Sequence, residues 1–237
     1  MKILALDSSA TAASVAIVED DAIIGQFFIN TKLTHSQTLM PMVQSLLDCT
    51  CIKIEEIDLF AVCVGPGSFT GIRIGVSAIK GMAMALNKPC VAVSTLDAMS
   101  YNFIGNNCIV CAVMDARCNQ VYNANYDINE EKINKLDKDS AVSIDELYKK
   151  LKTFNKKIML VGDGANLCYN RFSQKSSNIC LAAEHLRYQN AVGVANAGLK
   201  LYNEGKTISA AELMPVYLRL PQAERELKKR LETTKEN

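Results

Sequence analysis

The sequence lacks several features that would assign it a common function. Its formal net charge is only +1 over 237 residues, and outside a mixed C-terminal tail it has no block of like charge. This balance argues against a strong electrostatic grip on nucleic acid by the chain alone. No uninterrupted apolar run reaches the ~18 residues that span a bilayer, so no membrane segment is predicted. The opening MKILALD is a short apolar run ended by Asp7, which predicts a strand and not a signal peptide.

Two common catalytic signatures are missing from the most glycine-rich stretch, GPGSFTGIRIG at residues 65–75. It has no GxxxxGK[ST] pattern and is therefore not a P-loop. No Gly-x-Ser-x-Gly pattern surrounds Ser68, and nothing places either histidine, His35 or His185, beside it as a base. A Ser–His hydrolase is therefore disfavoured, and we predict no catalytic residue.

Nine cysteines, an odd number with several inside apolar runs, indicate the reducing cytoplasm. Cys108 and Cys111 form a CxxC, but on the strand that we predict there they face opposite sides. No second pair at a suitable spacing completes a zinc site. We therefore expect a cytoplasmic protein with no bound metal.

Strand and helix patterns alternate along both halves of the chain. Each half is predicted to contain three strands, then helix, strand, helix, strand and helix, a duplicated βββαβαβα topology in a two-lobed α/β protein. We expect the first lobe over 1–104, a smaller second lobe over 105–220 and a charged tail, frayed or disordered, over 221–237. The helix at 188–203 is a candidate to pack back on the first lobe.

The stretch at 65–75 supports two interpretations. A glycine-rich turn that enters a helix presents free N–H groups and the positive end of the helix dipole, which suits a phosphate. The same glycines also suit a tight turn with Ser68 or Thr70 as the helix cap. The nearest cation, Arg73, lies inside the helix, so phosphate contact is the secondary interpretation. Its candidates are Asp7, Ser8, Gly65, Gly67, Ser68 and Gly71.

Small residues recur at helical spacing in the helix that follows this turn. Gly71 and Gly75 are four apart, as are Ser77, Gly81 and Ala85. A glycine inside a helix costs about 1 kcal/mol relative to alanine, which close packing against another helix would offset. That helix is either the protein's own first helix or a partner's. Because the helices at 36–48 and 70–86 are more apolar and methionine-rich than one internal contact requires, we favour a partner. The predicted contacts are Leu39, Met40, Val43, Leu47, Arg73, Ile74, Ser77, Gly81 and Met84.

Motifs spread along nearly the whole chain resemble the bacterial TsaB (YeaZ) family. The most specific is GPGSFTGIRIG, and the others, in order, are ILALDSSATAASVAI, HSQTLMPMVQSLL, VSTLDAM, MDAR, VGDGA and PVYLR. The resemblance implies an actin-like ATPase (ASKHA, ribonuclease H-like) fold with a degenerate second lobe. It implies a non-catalytic subunit that dimerises with a TsaD-like catalytic paralogue. Their complex, joined by a TsaE-like ATPase, forms N6-threonylcarbamoyladenosine beside the anticodon of tRNA.

The resemblance also bears on ligands. The catalytic paralogue carries an HxxxH pair on its first helix, whereas Leu39 stands four residues after His35, which excludes two imidazoles on that face. It implies a homodimer when the paralogue is absent, weak ATP or ADP binding at the partner interface, and tRNA contact only through the complex. Asn119-Gln120 stands where the family commonly has Gly-Glu, so a role that needs the carboxylate is in doubt. Two alternatives stay open: a small ATPase or sugar-kinase-like phosphotransferase using Asp7 and both glycine-rich turns, and a metallopeptidase-like protein.

Overall fold

The first lobe is built on a five-stranded sheet. In this computed structural model, residues 1–219 are described, apart from Asp21 and Lys32, so the predicted tail at 221–237 lies outside the described residues. The strand order is β3-β2-β1-β4-β5, with β1, β4 and β5 parallel and β2 and β3 antiparallel to their neighbours. The elements are β1 (Lys2–Asp7), β2 (Ala13–Glu19), β3 (Ala22–Ile29), α1 (His35–Thr50), β4 (Leu59–Gly65), α2 (Phe69–Leu86), β5 (Cys90–Ser94) and α3 (Thr95–Ser100).

The central strands of this sheet are apolar along nearly their whole length because helices cover both of its faces. Along β1, Leu4 and Leu6 pack in a core with α1 and α2. The alternate residues Ile3 and Ala5 face the other side, where the last helix of the chain lies. Continuous apolar strands are typical of parallel strands buried on both faces, and side chains on a strand alternate between the two faces.

The second lobe repeats the topology of the first. Its strand order β8-β7-β6-β10-β11 matches β3-β2-β1-β4-β5 strand for strand, and β9 is an additional partner of β7. The predicted duplicated α/β topology is therefore confirmed. The elements are β6 (Asn106–Asp115), β7 (Gln120–Glu130), β8 (Lys132–Lys135), β9 (Ser140–Ser143), α4 (Ile144–Leu151), β10 (Ile158–Val161), α5 (Ala165–Phe172), β11 (Ile179–Leu181), α6 (Glu184–Arg187) and α7 (Ala191–Asn203).

The residues from α7 onward return to the first lobe. Small side chains of α7 lie against β1, β2, β4 and β5, and a Cβ at Gly198 would lie 3.0 Å from Val91 Cγ2. After α7, Ile208 exchanges two backbone hydrogen bonds with Cys90, each 2.9 Å long. Leu213 is then buried in the core beneath α1 and α2. The first lobe is thus completed by α7, the candidate predicted at 188–203, and by residues 208–213, although the predicted boundaries place both in the second lobe.

An apolar floor joins the two lobes. Leu96, Met99 and Phe103, in and just after α3, share one buried cluster with Met114 and Tyr126 of the second lobe. At the edge of this floor the Tyr126 hydroxyl donates a 2.7 Å hydrogen bond to Asp97. The lobes therefore meet along one side, and a cleft separates them on the other.

Candidate partner surface and inter-lobe cleft

Three of the residues predicted to contact a partner lie in the core of the first lobe. Leu39, Val43 and Leu47 point from α1 into the cluster shared with β1, β4 and α2, and Leu39 is only 1% exposed. They have no surface to offer a partner, which corrects the sequence interpretation at these positions. Their apolar spacing is that of a helix packing on its own sheet.

The other predicted contacts form an outward face on α1 and α2, which we call the partner face. Met40 is 46% exposed and Met84 58% exposed, and Arg73, Ser77 and Gly81 are also exposed. Ile74 is half-buried beside them. Met40 and Met84 lie on different helices, and exposed methionines are adaptable side chains that suit contact surfaces.

The three glycines of α2 differ in what surrounds them. A Cβ at Gly71 would lie 2.1 Å from the Ser8 carbonyl oxygen, and one at Gly75 would lie 2.4 Å from Ser8 Oγ. Packing inside the lobe therefore accounts for both glycines. A Cβ at Gly81 would meet no atom of the described residues within 4 Å. Nothing described inside the chain therefore requires a glycine at position 81, and Gly81 lies exposed on this outward face.

The glycine-rich turn before α2 packs tightly against the turn between β1 and β2. Ser68 is the helix cap, since its Oγ accepts a 3.2 Å hydrogen bond from Gly71 N. The Ser68 N–H donates to the Ser9 carbonyl at 2.6 Å. Gly67 has φ +157°, and a Cβ there would lie 2.3 Å from the same carbonyl oxygen. The glycine thus permits two turns to touch through their backbones.

Asp7 and Ser8, two of the phosphate candidates, are used inside the lobe. The Asp7 carboxylate accepts hydrogen bonds from Ser9 N at 2.8 Å, Ser9 Oγ at 2.7 Å and Cys63 Sγ at 3.0 Å. Burial raises the pKa of Asp7, against the effect of these hydrogen bonds. Ser8 Oγ donates to the Gly71 carbonyl at 2.8 Å. Of the six phosphate candidates, Gly67 and Ser68 line the cleft between the lobes, as far as the described residues define it. Asp7, Ser8, Gly65 and Gly71 do not line it, and phosphate contact stays a prediction.

The cleft has a volume of about 470 Å3 and a charged wall on the second lobe. Asp115 at the end of β6 and Asp163 in the turn before α5 lie together, with Asp115 N donating to Asp163 Oδ1 at 3.2 Å. Beside them Arg117, Cys118 and Asn119 have φ of 63°, 52° and 62°. Asparagine is among the side chains that best tolerate this left-handed region, so Asn119 is suited to the turn.

Asp163 lies in the VGDGA motif. Nothing in the sequence indicates that its carboxyl group is buried. The pKa of Asp163 is raised to about 6, mainly by burial and also by the nearby Asp115 carboxylate, while the hydrogen bond from Asp115 N acts in the opposite direction. Because the folded-state pKa exceeds the ordinary value of 3.8, the folded chain loses stability as pH rises from about 4 to about 6.

Replacing this carboxyl should therefore stabilise the chain at neutral pH. We expect Asp163→Asn to raise the free energy of unfolding by about 1 to 3 kcal/mol at pH 7.5 and to change it little at pH 4. The asparagine Oδ1 still accepts from Asp115 N. Urea unfolding of both proteins at the two pH values measures the difference. If the two proteins differ in free energy of unfolding by the same amount at both pH values, the burial assigned to Asp163 is contradicted.

Residues 1–219 without Asp21 and Lys32 hold no group of three or more His, Cys, Asp or Glu side chains placed to bind a metal ion. His35 Nε2 instead lies 2.7 Å from the Ala10 carbonyl oxygen.

Among the described helices, α2 is the one long and apolar enough by length and composition to cross a membrane. A core helix passes the same test, and the buried side of α2 lies in the core of the first lobe.

Comparison with known proteins identifies the family. The family model for "TsaD: tRNA N6-adenosine threonylcarbamoyltransferase" matches residues 23–227. The chain is 31% identical over 222 residues to the tRNA threonylcarbamoyladenosine biosynthesis protein TsaB of Escherichia coli, with 92% of this chain and 95% of that protein covered.

Solved structures agree. The structure of YeaZ from Pseudomonas aeruginosa superposes with a TM-score of 0.76 at 27% identity, covering 92% of this chain and 99% of that one. Component A of (R)-2-hydroxyglutaryl-CoA dehydratase from Acidaminococcus fermentans superposes with a TM-score of 0.52 at 11% identity, covering 90% and 100%. This second likeness concerns the fold alone, and it confirms the predicted two-lobed class. The chain belongs to the TsaB family, as its sequence motifs had indicated.

Proposed function

We propose that this chain is the non-catalytic partner subunit of the complex that forms N6-threonylcarbamoyladenosine on tRNA. In this proposal it dimerises with a TsaD-like catalytic subunit through the partner face of α1 and α2. The observation that carries the proposal is the open space above Gly81, between exposed Ser77 and Met84 along the same helix. A helix from another chain can approach closely there.

The family match supports a paired arrangement. The same family model that describes the threonylcarbamoyltransferase fits most of this chain, so the two subunits share a fold. A paralogue of the same fold presents an equivalent pair of helices, and two like surfaces can meet around an approximate two-fold axis. We propose that the chain forms a homodimer through the same face when the catalytic subunit is absent.

The burial and hydrogen bonding of Asp7, in the first hairpin turn, support a non-catalytic role. Asp7 is fully hydrogen-bonded inside the lobe and 1% exposed, so it is not presented to a ligand in the cleft. We propose that nucleotide, if it binds, does so weakly at the partner interface. A TsaE-like ATPase joins this cytoplasmic complex, and tRNA is reached through the complex and not by this chain alone.

A reconstituted reaction tests this function. The TsaD-like and TsaE-like proteins of the same organism are assayed on tRNA with and without this chain. We expect product only when the chain is present, and we expect Asp115→Asn/Asp163→Asn to support at least about half the wild-type rate, since neither carboxylate performs chemistry. Loss of product with this variant, while it remains folded and bound, would instead favour the second candidate, a small ATPase or phosphotransferase. The observation in favour of that candidate is the charged cleft itself.

A further inference from the structure

Residues 216–219 run along the mouth of the cleft and contact both lobes. They begin on the first lobe, where Val216 N donates a 2.8 Å hydrogen bond to the Val64 carbonyl at the end of β4. Gly65 has φ +129°, and a Cβ there would lie 2.3 Å from the Val216 carbonyl oxygen. The segment can therefore lie against β4 only because residue 65 has no side chain.

The next residue is held on α2 by an aromatic and cationic stack. The ring of Tyr217 stacks on Phe69 with centroids 4.7 Å apart. The Arg73 guanidinium lies 3.8 Å from the centroid of the Phe69 ring, and its Nε donates a 2.8 Å hydrogen bond to the Tyr217 hydroxyl. Each contact is modest alone, but together they fix the segment to the first turns of α2. Arg73, predicted to contact a partner, thus also has a role within the chain.

The other end of the segment reaches the second lobe. Arg219 Nη1 donates a 2.8 Å hydrogen bond to the carbonyl of Ala116, just after β6. Ala116 is itself buried, so the bond is made to the body of the lobe and not to a free loop tip. All four residues of the segment line the cleft.

We propose that Val216–Arg219 is a latch that holds the mouth of the cleft at a fixed width. The apolar floor around Leu96, Met99 and Phe103 joins the lobes on one side, and the latch joins them on the other. Cutting the latch leaves the floor as a hinge. Because Arg73 belongs both to the latch stack and to the partner face, a protein bound on α2 also contacts the latch. The latch itself does not depend on the proposed function.

Spin-label distances between the lobes test the latch on the isolated chain. One label is placed at native Cys49, exposed on α1. The other is placed at Lys152→Cys, exposed just after α4. Cys51, Cys118 and Cys180 are changed to serine to prevent other labelling. With the latch intact we expect one narrow distance distribution. In Arg219→Ala, and separately in Tyr217→Ala, we expect a shift to longer distances and a broader distribution.

The matched control loosens the same C-terminal segment without touching the second lobe. Lys80 Nζ donates to the carbonyls of Ala211 at 2.9 Å and Leu213 at 3.3 Å, all within the first lobe. Lys80→Ala should leave the distance distribution unchanged, and a lobe separation as large as that of the latch variants would overturn the proposal. The proposal would also be overturned if both latch variants, shown to be folded by circular dichroism, kept the wild-type distance distribution. The apolar floor alone would then determine the width of the cleft.

Discussion

Gly71→Ala is expected to lower the free energy of unfolding by about 3 kcal/mol or more. The added Cβ would lie 2.1 Å from the Ser8 carbonyl oxygen, a backbone atom. That backbone has little freedom to move, because Ser8 Oγ donates a hydrogen bond to the Gly71 carbonyl and the adjacent Ser9 N–H donates one to Asp7. The same change at Gly81, on the same helix, is expected to be neutral or to stabilise by up to about 1 kcal/mol, since alanine is the better helix former and the site is open.

Urea unfolding of the two variants measures this contrast directly. Gly75→Ala provides an intermediate case, because its Cβ would meet Ser8 Oγ, a side-chain atom that can rotate away at the cost of one hydrogen bond. Similar losses at Gly71 and Gly81 would show that the two glycines have the same surroundings, against the structure. An unchanged stability of Gly71→Ala would contradict the close contact between α2 and the first hairpin turn.

Gly81→Arg is expected to weaken binding to the TsaD-like subunit by about 100-fold or more. In the proposed interface the long charged side chain would stand where the partner's backbone approaches, and burying its charge without a counter-charge would weaken binding further. The variant should fold as well as the wild type, since arginine is a better helix former than glycine and no described atom lies within 4 Å of the new Cβ. Loss of binding would therefore report the interface and not unfolding.

Titration calorimetry with the catalytic subunit provides the measurement, and a second arginine provides the control. Leu167 is 38% exposed on α5 of the second lobe, away from the partner face. We expect Leu167→Arg to bind within about twofold of wild type, because it adds the same side chain outside the interface. Equal weakening by both variants would indicate a nonspecific effect of charge.

The fold could be predicted because its signals are local and repeated. Apolar strands such as β1 and β4 alternate with helices of regular apolar spacing, which indicates the duplicated α/β topology that both sheets show. The partner face could be predicted only in part. Leu39 and Met40 are neighbours in sequence and both apolar, yet the first is in the core and the second is 46% exposed. Composition alone does not tell which side of a helix meets its own sheet.

The cleft could not be predicted from the sequence, because the residues that line it lie far apart along the chain. Arg219 bonds to a carbonyl 103 residues away, and Arg73 bonds to a hydroxyl 144 residues away. The PVYLR motif marked the segment as a family feature but could not indicate that it crosses between lobes. The raised pKa of Asp163 likewise follows from burial, which depends on packing around the turn and not on the turn's own residues.

Light scattering on a sizing column tests the central claim, that this chain is a partner subunit, most directly. The chain, of 26.0 kDa, is run alone and with the TsaD-like subunit of the same organism at roughly micromolar concentration. Gly81→Arg is run in the same way. We predict a single 1:1 or 2:2 complex for the wild type and two separate species for the variant. Two separate species for the wild type, with and without ATP, would contradict the account.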